Sequence, residues 1–530
     1  MRPVALLLAG SALCSALSGC MVGPDFKRPS PPKTEAYLSS DPPTDLVAGG
    51  IPGGEAQTLV RGMDIPGQWW QVFQSAPLNG LIESALRANP DVQAAAAGLK
   101  VAQENARAQR ATLFPTIQAN FGASQNETPG SLSPATASGA TIFGLFTAGL
   151  TLTYALDLWG GNRRQIESLD ALAEAQCFQL EGAYLSLASN VVAAAVQEAS
   201  LRAQIDATQR IIAAQQTTLG ILRGQANLGA IPGGDVATQQ AALAQAEATL
   251  PPLQKALEQQ RNLIATLTGR LPSDNIAARF RLEDLTLPHD LPLSLPSRLV
   301  EQRPDVRAAE SNLHSASALV GVAVANQFPQ ITLTANINTQ SLSTDTLFGP
   351  GLTGMAVGAS ALQTIIDGGA LAAKKRAAKA GLEQADAQYR SVVLTAFRNV
   401  ADTLRALQYD AITLKASVDA EQAAATSLDI AQRRLALGDT TYVTVLLAQL
   451  TYQQTLLNRV QAQAARFTDT AALFQALGGG WWNRAQGPEE QARRLRCRPP
   501  APQARDDKRP VADDPGEGTR INRSAVARLG

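Results

Sequence analysis

The chain has 530 residues, a formal net charge of zero, 45% hydrophobic residues and only 5% aromatic residues. A neutral chain has no overall basic field that would attract nucleic acid, so we expect no nucleic-acid partner. Only two histidines occur, and the sequence has no nucleophile elbow, phosphate-binding loop, dinucleotide fingerprint or zinc-protease motif. We therefore expect no enzymatic activity, no metal and no cofactor. Long stretches rich in Ala, Gln and Leu favour long helices.

Residues 1–19 have the pattern of an export signal, in which an apolar run too short to span a bilayer follows Arg2. Residues 17–20, Leu-Ser-Gly-Cys, resemble the lipobox of bacterial lipoproteins. This resemblance implies that Cys20 is acylated and becomes the first residue of the mature chain. Because Met21 follows, and not Asp, it also implies sorting to the outer membrane. An ordinary signal peptide with a coincidental cysteine is the alternative.

The four cysteines form no CxxC pair and no disulfide framework. If Cys14 is removed with the signal and Cys20 is acylated, only Cys177 and Cys497 remain as thiols. Cys177 lies in a stretch with helical periodicity, and we interpret it as a small core residue and not as a reactive one.

Three further segments carry no long periodic pattern. Residues 20–77, which are rich in Pro and Gly between positions 30 and 67, are predicted to form a lipid-anchored tether. Residues 270–291 are predicted to be a linker. Residues 479–530 are predicted to be a disordered tail, because from residue 483 onward they are rich in Arg, Pro and Asp without apolar periodicity.

The second half of the chain restates the first. Asp91 corresponds to Asp305 at an offset of 214 residues, and Gly229 corresponds to Gly438 at an offset of 209. Such near-constant offsets indicate tandem copies of one unit. We predict that each copy contains a helix, a β-hairpin and a long helical hairpin. The two copies span residues 78–269 and residues 292–478.

The predicted hairpins, residues 114–156 and 328–366, alternate apolar and polar residues with a period of two. Strands of about ten residues have the length needed to cross a bilayer at a tilt. Four strands cannot close a barrel, and open sheet edges do not occur in lipid, so closure requires several chains. A small soluble sheet is the alternative.

Residues 161–219 and residues 351–487 contain no proline. Within them apolar residues recur at intervals of three and four, from Ile166 and from Leu371, which predicts very long helices. About 60 helical residues make a rod of about 90 Å. Such a rod needs lateral neighbours to cover its apolar stripe. Each rod ends at a break that contains a glycine, Gly229 in the first copy and Gly438 in the second.

Charged residues flank both ends of these helices. Asp235 and Asp439 follow the breaks, where they fit helix capping, an acidic ring at a pore mouth, or both. At the opposite end, tryptophan and cations follow the return strands, as is typical of a membrane interface. The interface candidates are Trp159, Arg163, Arg164, Lys374, Lys375 and Arg376. For the charged members, a solvated helix start is an equally good interpretation.

Taken together, these features resemble the outer-membrane factors of tripartite efflux and secretion systems, the TolC-like family, and in particular its OprM/NodT-type lipoprotein branch. The resemblance extends from residue 17 to about residue 482. The matching stretches are CMVGPDFKRP at residues 20–29, Trp69-Trp70 with Phe73, LDLWG at residues 156–160, QRPDVRAAE at residues 302–310, Phe328-Pro329 and LGGGW at residues 477–481.

The resemblance implies an α+β membrane protein that forms a homotrimer. Each chain would give four strands to one twelve-stranded transmembrane β-barrel, which would continue into a long periplasmic α-helical barrel. The implied function is a passive outer-membrane channel of an RND-type tripartite efflux system, with a periplasmic adaptor and an inner-membrane pump as partners. The competing hypothesis is a lipid-anchored periplasmic coiled-coil scaffold or adaptor without a pore.

The sequence departs from the family where relatives often have acidic residues that constrict the aperture. Aligned on the second break, those positions hold Thr444 and Leu447. The aperture candidates are therefore Asp235, Asp439 and Thr444.

Overall fold

The computed structural model of the protein describes residues 21–484, apart from residue 35, residues 41–42, residues 128–141 and residue 275. The predicted signal peptide, Cys20 and the predicted tail from residue 485 onward lie outside the described residues. So does most of the loop predicted between the strands of the first hairpin.

Two short strands and a 3-10 turn come first: β1 (Asp45–Leu46), β2 (Gln57–Arg61) and the turn Trp69–Phe73. The next six elements are α1 (Ala76–Ala88), α2 (Pro90–Ala111), β3 (Thr116–Glu127), β4 (Ile142–Leu156), α3 (Gly161–Asn227) and α4 (Gly233–Leu267). After β5 (Asp290–Leu293), the chain forms α5 (Pro296–Gln302), α6 (Pro304–Ala325), β6 (Gln330–Ser341), β7 (Thr353–Leu362), α7 (Ala370–Ala436) and α8 (Tyr442–Ala476).

The two halves have helices of equal length. Both α3 and α7 have 67 residues, both α4 and α8 have 35, and both α2 and α6 have 22. The long helices end where Gly229 and Gly438 adopt positive φ angles of 75° and 74°, which glycine accepts at little cost. Helix α3 packs against α2, α4, α6 and α8, so its small apolar residues are covered along its length.

Strands β3, β4, β6 and β7 form one antiparallel sheet in that order. Residues paired across antiparallel strands share a face of the sheet. The register places apolar and polar side chains in successive cross-strand rows, on opposite faces. One apolar row consists of Ile117, Leu152, Ala335 and Val357. The adjacent row, on the opposite face, consists of Gln118, Thr151, Asn336 and Ala356. The alternation predicted within each hairpin therefore runs across the whole sheet.

The predicted N-terminal tether is folded onto the body of the protein. Strand β2 pairs antiparallel with β1 and parallel with β5, so the predicted linker ends in this second sheet. The side chains of Trp69 and Phe73 are buried in the main core beside α8. Burial of such large aromatic groups is strongly favourable. This burial explains why the segment does not remain an extended tether.

The folded body also extends past residue 478, where the disordered tail was predicted to begin. Trp481 Nε1 donates a hydrogen bond to the carbonyl oxygen of Gln302 at 2.7 Å. Asn483 Nδ2 donates to Asp64 Oδ2 at 2.8 Å. The C-terminal turn, residues 478–484, is therefore part of the folded structure.

The structure confirms that Cys177 is a small core residue, whereas the prediction that it remains a thiol is wrong. Cys177 lies in α3 and is 6% exposed, and it is disulfide-bonded. The other three cysteines of the sequence all lie outside the described residues. Helical periodicity marks where a cysteine packs but carries no information about a distant partner.

Candidate functional site

The four-stranded sheet exposes apolar side chains on one face. In the apolar row described above, Ile117 is 70% exposed and Val357 is 79% exposed. Exposed apolar side chains on one face of a sheet are expected to contact lipid or another protein surface. Among the described helices, none is both long enough and apolar enough to cross a membrane.

The junction between this sheet and the long helices brings together two of the predicted interface residues. Trp159 Nε1 donates a hydrogen bond to the carbonyl oxygen of Pro329 at 2.8 Å, and its ring stacks on Phe328 at 4.8 Å. Lys375 Nζ donates to Gln327 Oε1 at 3.2 Å. Trp159 and Lys375 thus hold the same turn before β6 from two sides. Lys374 and Arg376 are exposed.

Asp157 fixes the start of α3, a role that sequence reasoning missed. Its carboxylate accepts hydrogen bonds from the backbone N–H groups of Asn162 and Arg163, both at 3.0 Å. The Arg163 guanidinium also donates to it, at 3.2 Å. A carboxylate at a helix N-terminus satisfies free N–H groups and suits the helix dipole. Arg163 is therefore oriented by Asp157.

Arg164 is buried, so the alternative of a solvated helix start is wrong for this residue. The residue is 1% exposed. Its guanidinium donates to Asp25 Oδ1 at 2.6 Å, to Glu167 Oε2 at 2.8 Å and to the carbonyl oxygen of Val22 at 3.2 Å. A buried guanidinium requires such a set of acceptors. Arg164 therefore holds the chain that follows Cys20.

Residues 22–28, here called the N-terminal strap, lie against α3 and α6. The backbone N–H of Val22 donates to the carbonyl oxygen of Trp159 at 3.1 Å. Gly23 meets Gly321 so closely that a Cβ atom on Gly23 would lie 2.4 Å from the Gly321 Cα. Further along, Phe26 stacks on His314 at 4.4 Å, and Arg28 pairs with Glu310 at 2.8 Å. The strap thus fixes the residue next to Cys20 at the junction.

Substituting Arg164 is expected to release the strap. Arg164→Leu removes the hydrogen bonds to Val22 and Asp25, which we expect to cost about 1–3 kcal/mol of docking free energy. Hydrogen exchange at the Val22 amide should accelerate about 5- to 150-fold, since 1.4 kcal/mol corresponds to a factor of ten. Arg110→Leu is the matched control, because Arg110 also bonds to α3, at Asp170, and has no described bond to the strap. Unchanged exchange in Arg164→Leu would contradict this role.

The aperture candidates lie at the far ends of the long helices. Asp235 is in the first turn of α4, whereas Asp439 precedes α8 and pairs with Arg434 at 2.8 Å. Asp439 therefore does not cap α8, whose N-cap residue is Thr441. Thr444 is exposed, and its hydroxyl lies 3.2 Å from that of Thr441.

The same end contains a link between the two halves that sequence reasoning missed. The Tyr442 hydroxyl donates to Gln239 Oε1, and Gln239 Nε2 donates to the carbonyl oxygen of Gln215 at 2.8 Å. Burial, followed by the negative charge of Asp235, raises the pKa of Tyr442 to about 12. Tyr442 therefore remains protonated at neutral pH. Among the described residues, no group of three or more His, Cys, Asp or Glu is arranged to hold a metal ion.

A buried polar cluster lies where α7 and α8 meet the N-terminal segment. Arg466 is 0% exposed and donates to Gln57 Oε1 at 2.7 Å and to the carbonyl oxygen of Glu55 at 3.1 Å. The carboxyl groups of Asp410 and Asp469 lie close enough to hydrogen-bond to each other. Two carboxyl groups can do so only if they share a proton. Burial, and then this contact, raises the pKa of Asp469 to about 7.

Comparison with known proteins identifies the family. The model of the family described as outer membrane efflux protein matches residues 81–270 and 295–479, more than half of the chain. The chain is 29% identical over 425 residues to the pyoverdine export outer membrane protein OpmQ of Pseudomonas aeruginosa, covering 79% of this chain and 89% of OpmQ. It is 28% identical over 494 residues to the toluene efflux pump outer membrane protein TtgC of Pseudomonas putida, covering 92% of this chain and 98% of TtgC. The solved structure of the outer-membrane channel OprN superposes with a TM-score of 0.77 at 27% identity, covering 87% of this chain and 100% of OprN. The chain therefore belongs to the outer membrane efflux protein family.

Proposed function

We propose that three copies of this efflux channel protein assemble into one twelve-stranded transmembrane β-barrel, with the long helices forming a periplasmic barrel below it. The exposed apolar face of the sheet carries this proposal. Within the described part of the chain, β3 and β7 each pair on one side only. Unpaired strand edges are not tolerated in lipid, so the edges of one copy must meet those of another.

The two halves of each chain are best explained as tandem copies of one unit. Three pairs of corresponding helices have identical lengths, as given above. The strands of both hairpins also enter the same sheet with matching faces. A duplicated unit would supply each protomer with two hairpins and two helical hairpins.

The chain is anchored in the outer membrane through lipid on Cys20. The N-terminal strap supports this proposal, because it holds Met21 against Gly160, next to Trp159 and directly below the sheet. An acyl chain on the preceding residue would then start close to the membrane surface, where Trp is favoured. Cys20→Ser should abolish incorporation of labelled palmitate while Cys497→Ser should not.

The conduit is passive and conducts small molecules that a pump delivers. Pyoverdine and toluene appear in the names of the relatives OpmQ and TtgC. We infer that this chain likewise works with a periplasmic adaptor and an RND-type inner-membrane pump, and that the pump selects the cargo. The periplasmic helix ends, which carry Asp235 and Asp439, are the natural docking end for the adaptor.

Conductance of the purified protein tests the proposal directly. The mature chain in detergent should migrate as a heat-sensitive trimer and should produce discrete conductance steps in a planar bilayer. A boiled sample is the control and should give neither. A monomer without conductance would favour the scaffold hypothesis, which the channel relatives do not support.

The aperture residues should contribute unequally to ion selectivity. Asp235 has no ion-pair partner among the described residues, so three copies would bring negative charge close to the pore axis. Asp235→Asn should therefore lower the cation-to-anion permeability ratio about two- to fivefold at low salt. Asp439→Asn should have a smaller effect, because Arg434 already neutralises Asp439. Reversal potentials in a salt gradient measure the permeability ratios of both variants. A larger effect of Asp439→Asn would contradict this assignment.

A further inference from the structure

The strands β3, β4, β6 and β7 contain a single charged residue between them. It is Glu127, the last residue of β3. Charged residues make up 17% of the whole chain, so their scarcity in these strands has a cause. Contact with lipid explains it on the apolar face, where charged side chains are costly. Lipid does not explain why the opposite face of these described strands, here called the polar face, has no charged residue either.

The polar face is formed largely by amides, hydroxyl groups and glycines. One cross-strand row on it consists of Asn120, Gly149, Asn338 and Gly354. The row on one side of it is the one described above, with Gln118, Thr151, Asn336 and Ala356, and the row on the other side contains Gly122, Thr147 and Gln340. Amides and hydroxyl groups both donate and accept hydrogen bonds. The polar face can therefore hydrogen-bond to solutes of either charge without a fixed charge of its own.

The amides of the row that contains Asn338 lie along the surface of the sheet, beside the glycines. A Cβ atom on Gly149 would lie 3.1 Å from the Cβ atom of Asn338 and 3.3 Å from Asn120 Oδ1. A Cβ atom on Gly354 would lie 3.5 Å from Asn338 Oδ1. Glycine thus leaves space that the neighbouring amides occupy. The polar groups of this row are therefore part of the wall of the sheet.

The charges nearest to this row in the sequence lie beyond its electrostatic reach or on the other face. Glu127 is seven residues from Asn120 along β3, which is about 24 Å at 3.4 Å per residue. Charges are largely screened beyond about 10 Å at 0.1 M salt. Asp345 lies in the loop after β6, and this loop hydrogen-bonds back to Thr339. Thr339 and Asn338 are adjacent in a strand, so their side chains lie on opposite faces.

We propose that the lumen of the barrel does not discriminate between cationic, anionic and neutral cargo, and that sorting by charge takes place in the helical part of the conduit. This inference rests on the proposed function, because only a closed membrane barrel turns the polar face into a lumen. Channels that select one sign of charge use rings of charged side chains. The described strands supply none on the polar face, whereas the helix ends carry Asp235.

The electrostatic potential at Asn338 tests the proposal. Trimers of the Asn338→Cys variant are treated at 0.1 M salt with trimethylammonium-ethyl and with sulfonatoethyl methanethiosulfonate, a cation and an anion of similar size. The reactivity of the thiol enters both rates equally, so the ratio of the rates, divided by the same ratio for 2-mercaptoethanol, reports the local potential. It should be within about twofold of one, since no fixed charge lies within screening distance. A preference above about fivefold for either reagent would overturn the proposal. Wild-type protein gives the background from its own cysteines.

A neighbouring charge on the same face shows that the assay responds. Asn336 lies two residues from Asn338 on β6, about 7 Å away on the same face. Adding Asn336→Asp should raise the corrected ratio about two- to fivefold, and Asn336→Lys should lower it by a similar factor. Asn336→Gln is the neutral control and should leave it unchanged.

The outcomes separate this proposal from the channel proposal. If wild-type protein conducts but Asn338→Cys reacts with neither reagent, Asn338 does not face water and this proposal alone fails. The same holds if neither charged substitution at Asn336 changes the ratio. Wild-type protein without conductance would overturn the channel proposal and this inference with it.

Discussion

Gly480→Ala should destabilise the folded body by about 2–5 kcal/mol. Gly480 has a φ angle of 68°, and a Cβ atom there would lie 2.5 Å from the carbonyl oxygens of both Ile65 and Pro66. The left-handed conformation costs an alanine about 1–2 kcal/mol. Overpacking against a fixed backbone adds about 1–3 kcal/mol. Because both contacts are with backbone atoms, no side chain can rotate away to relieve them.

Substitutions at two other glycines separate the cost of the left-handed conformation from the cost of the close contacts. Gly62 has a φ angle of 76° with open space around it, so Gly62→Ala should cost only the conformational part, about 1–2 kcal/mol. Gly381 lies inside α7 with open space and no positive φ, so Gly381→Ala should stabilise by up to about 1 kcal/mol. Thermal unfolding in detergent, followed by tryptophan fluorescence, measures all three. Equal losses for Gly480→Ala and Gly62→Ala would show that the close contacts contribute nothing.

The C-terminal turn and the N-terminal strap have the same structural role. Each end of the described chain lies in a narrow space where glycine backbones meet other backbone atoms. At the N-terminus Gly23 crosses Gly321, and at the C-terminus Gly480 lies against Ile65 and Pro66. The family-like stretches at residues 20–29 and 477–481 correspond to these two places. Close backbone approach gives a physical reason for glycine in both.

Features that depend on local periodicity could be predicted from the sequence. The strands of the four-stranded sheet lie within the predicted hairpins. The long helices begin at Gly161 and Ala370, shortly before the first residues of the predicted helical periodicity, Ile166 and Leu371. Periods of 2.0 and 3.6 are properties of neighbouring residues, so a window of sequence contains them. The breaks at Gly229 and Gly438 were predictable for the same reason, since a left-handed residue favours glycine.

Features that depend on distant partners could not be predicted. Arg164 and Asp25 are 139 residues apart in sequence, and nothing near either residue identifies the other. The two neighbouring arginines look alike in sequence, yet Arg163 bonds to Asp157, which caps the helix, whereas Arg164 is buried. The proline- and glycine-rich tether was mispredicted because composition alone does not reveal that Trp69 and Phe73 fill the core.

The carboxyl pair of Asp410 and Asp469 makes stability depend on pH. Asp410 Oδ2 is buried and receives no hydrogen bond from the described residues unless Asp469 supplies a proton. The pKa of Asp469 is raised to about 7 in the folded protein, from about 3.9 in an unfolded chain. Between these values the folded state binds more protons than the unfolded state. The free energy of unfolding therefore falls as pH rises from about 4 to about 7.

Asp469→Asn should remove this dependence. An amide resembles the protonated carboxyl group in shape, so the variant should match wild type near pH 4, where the unfolded wild-type chain also binds the proton. Near pH 8 it should be more stable by about 1–2 kcal/mol, because wild type then holds two negative charges side by side. The full shift in pKa would correspond to a larger stabilisation, at about 1.4 kcal/mol per pKa unit. We expect less, because the pair is partly exposed and solvent screens the repulsion between the two charges. Unfolding temperatures at the two pH values measure the difference.

Two further variants make the test specific to the pair. Asp410→Asn should reproduce the stabilisation at pH 8, because either substitution removes the repulsion between the same two groups. Asp419→Asn changes an exposed carboxylate on the same helix, α7, that pairs with Lys415 at 3.3 Å, and it should leave the pH dependence at its wild-type slope. Arg466 and Glu55, which lie beside the pair, are unchanged in all three variants. If Asp469→Asn stabilised the protein equally at pH 4 and pH 8, the effect would come from packing and not from a shared proton.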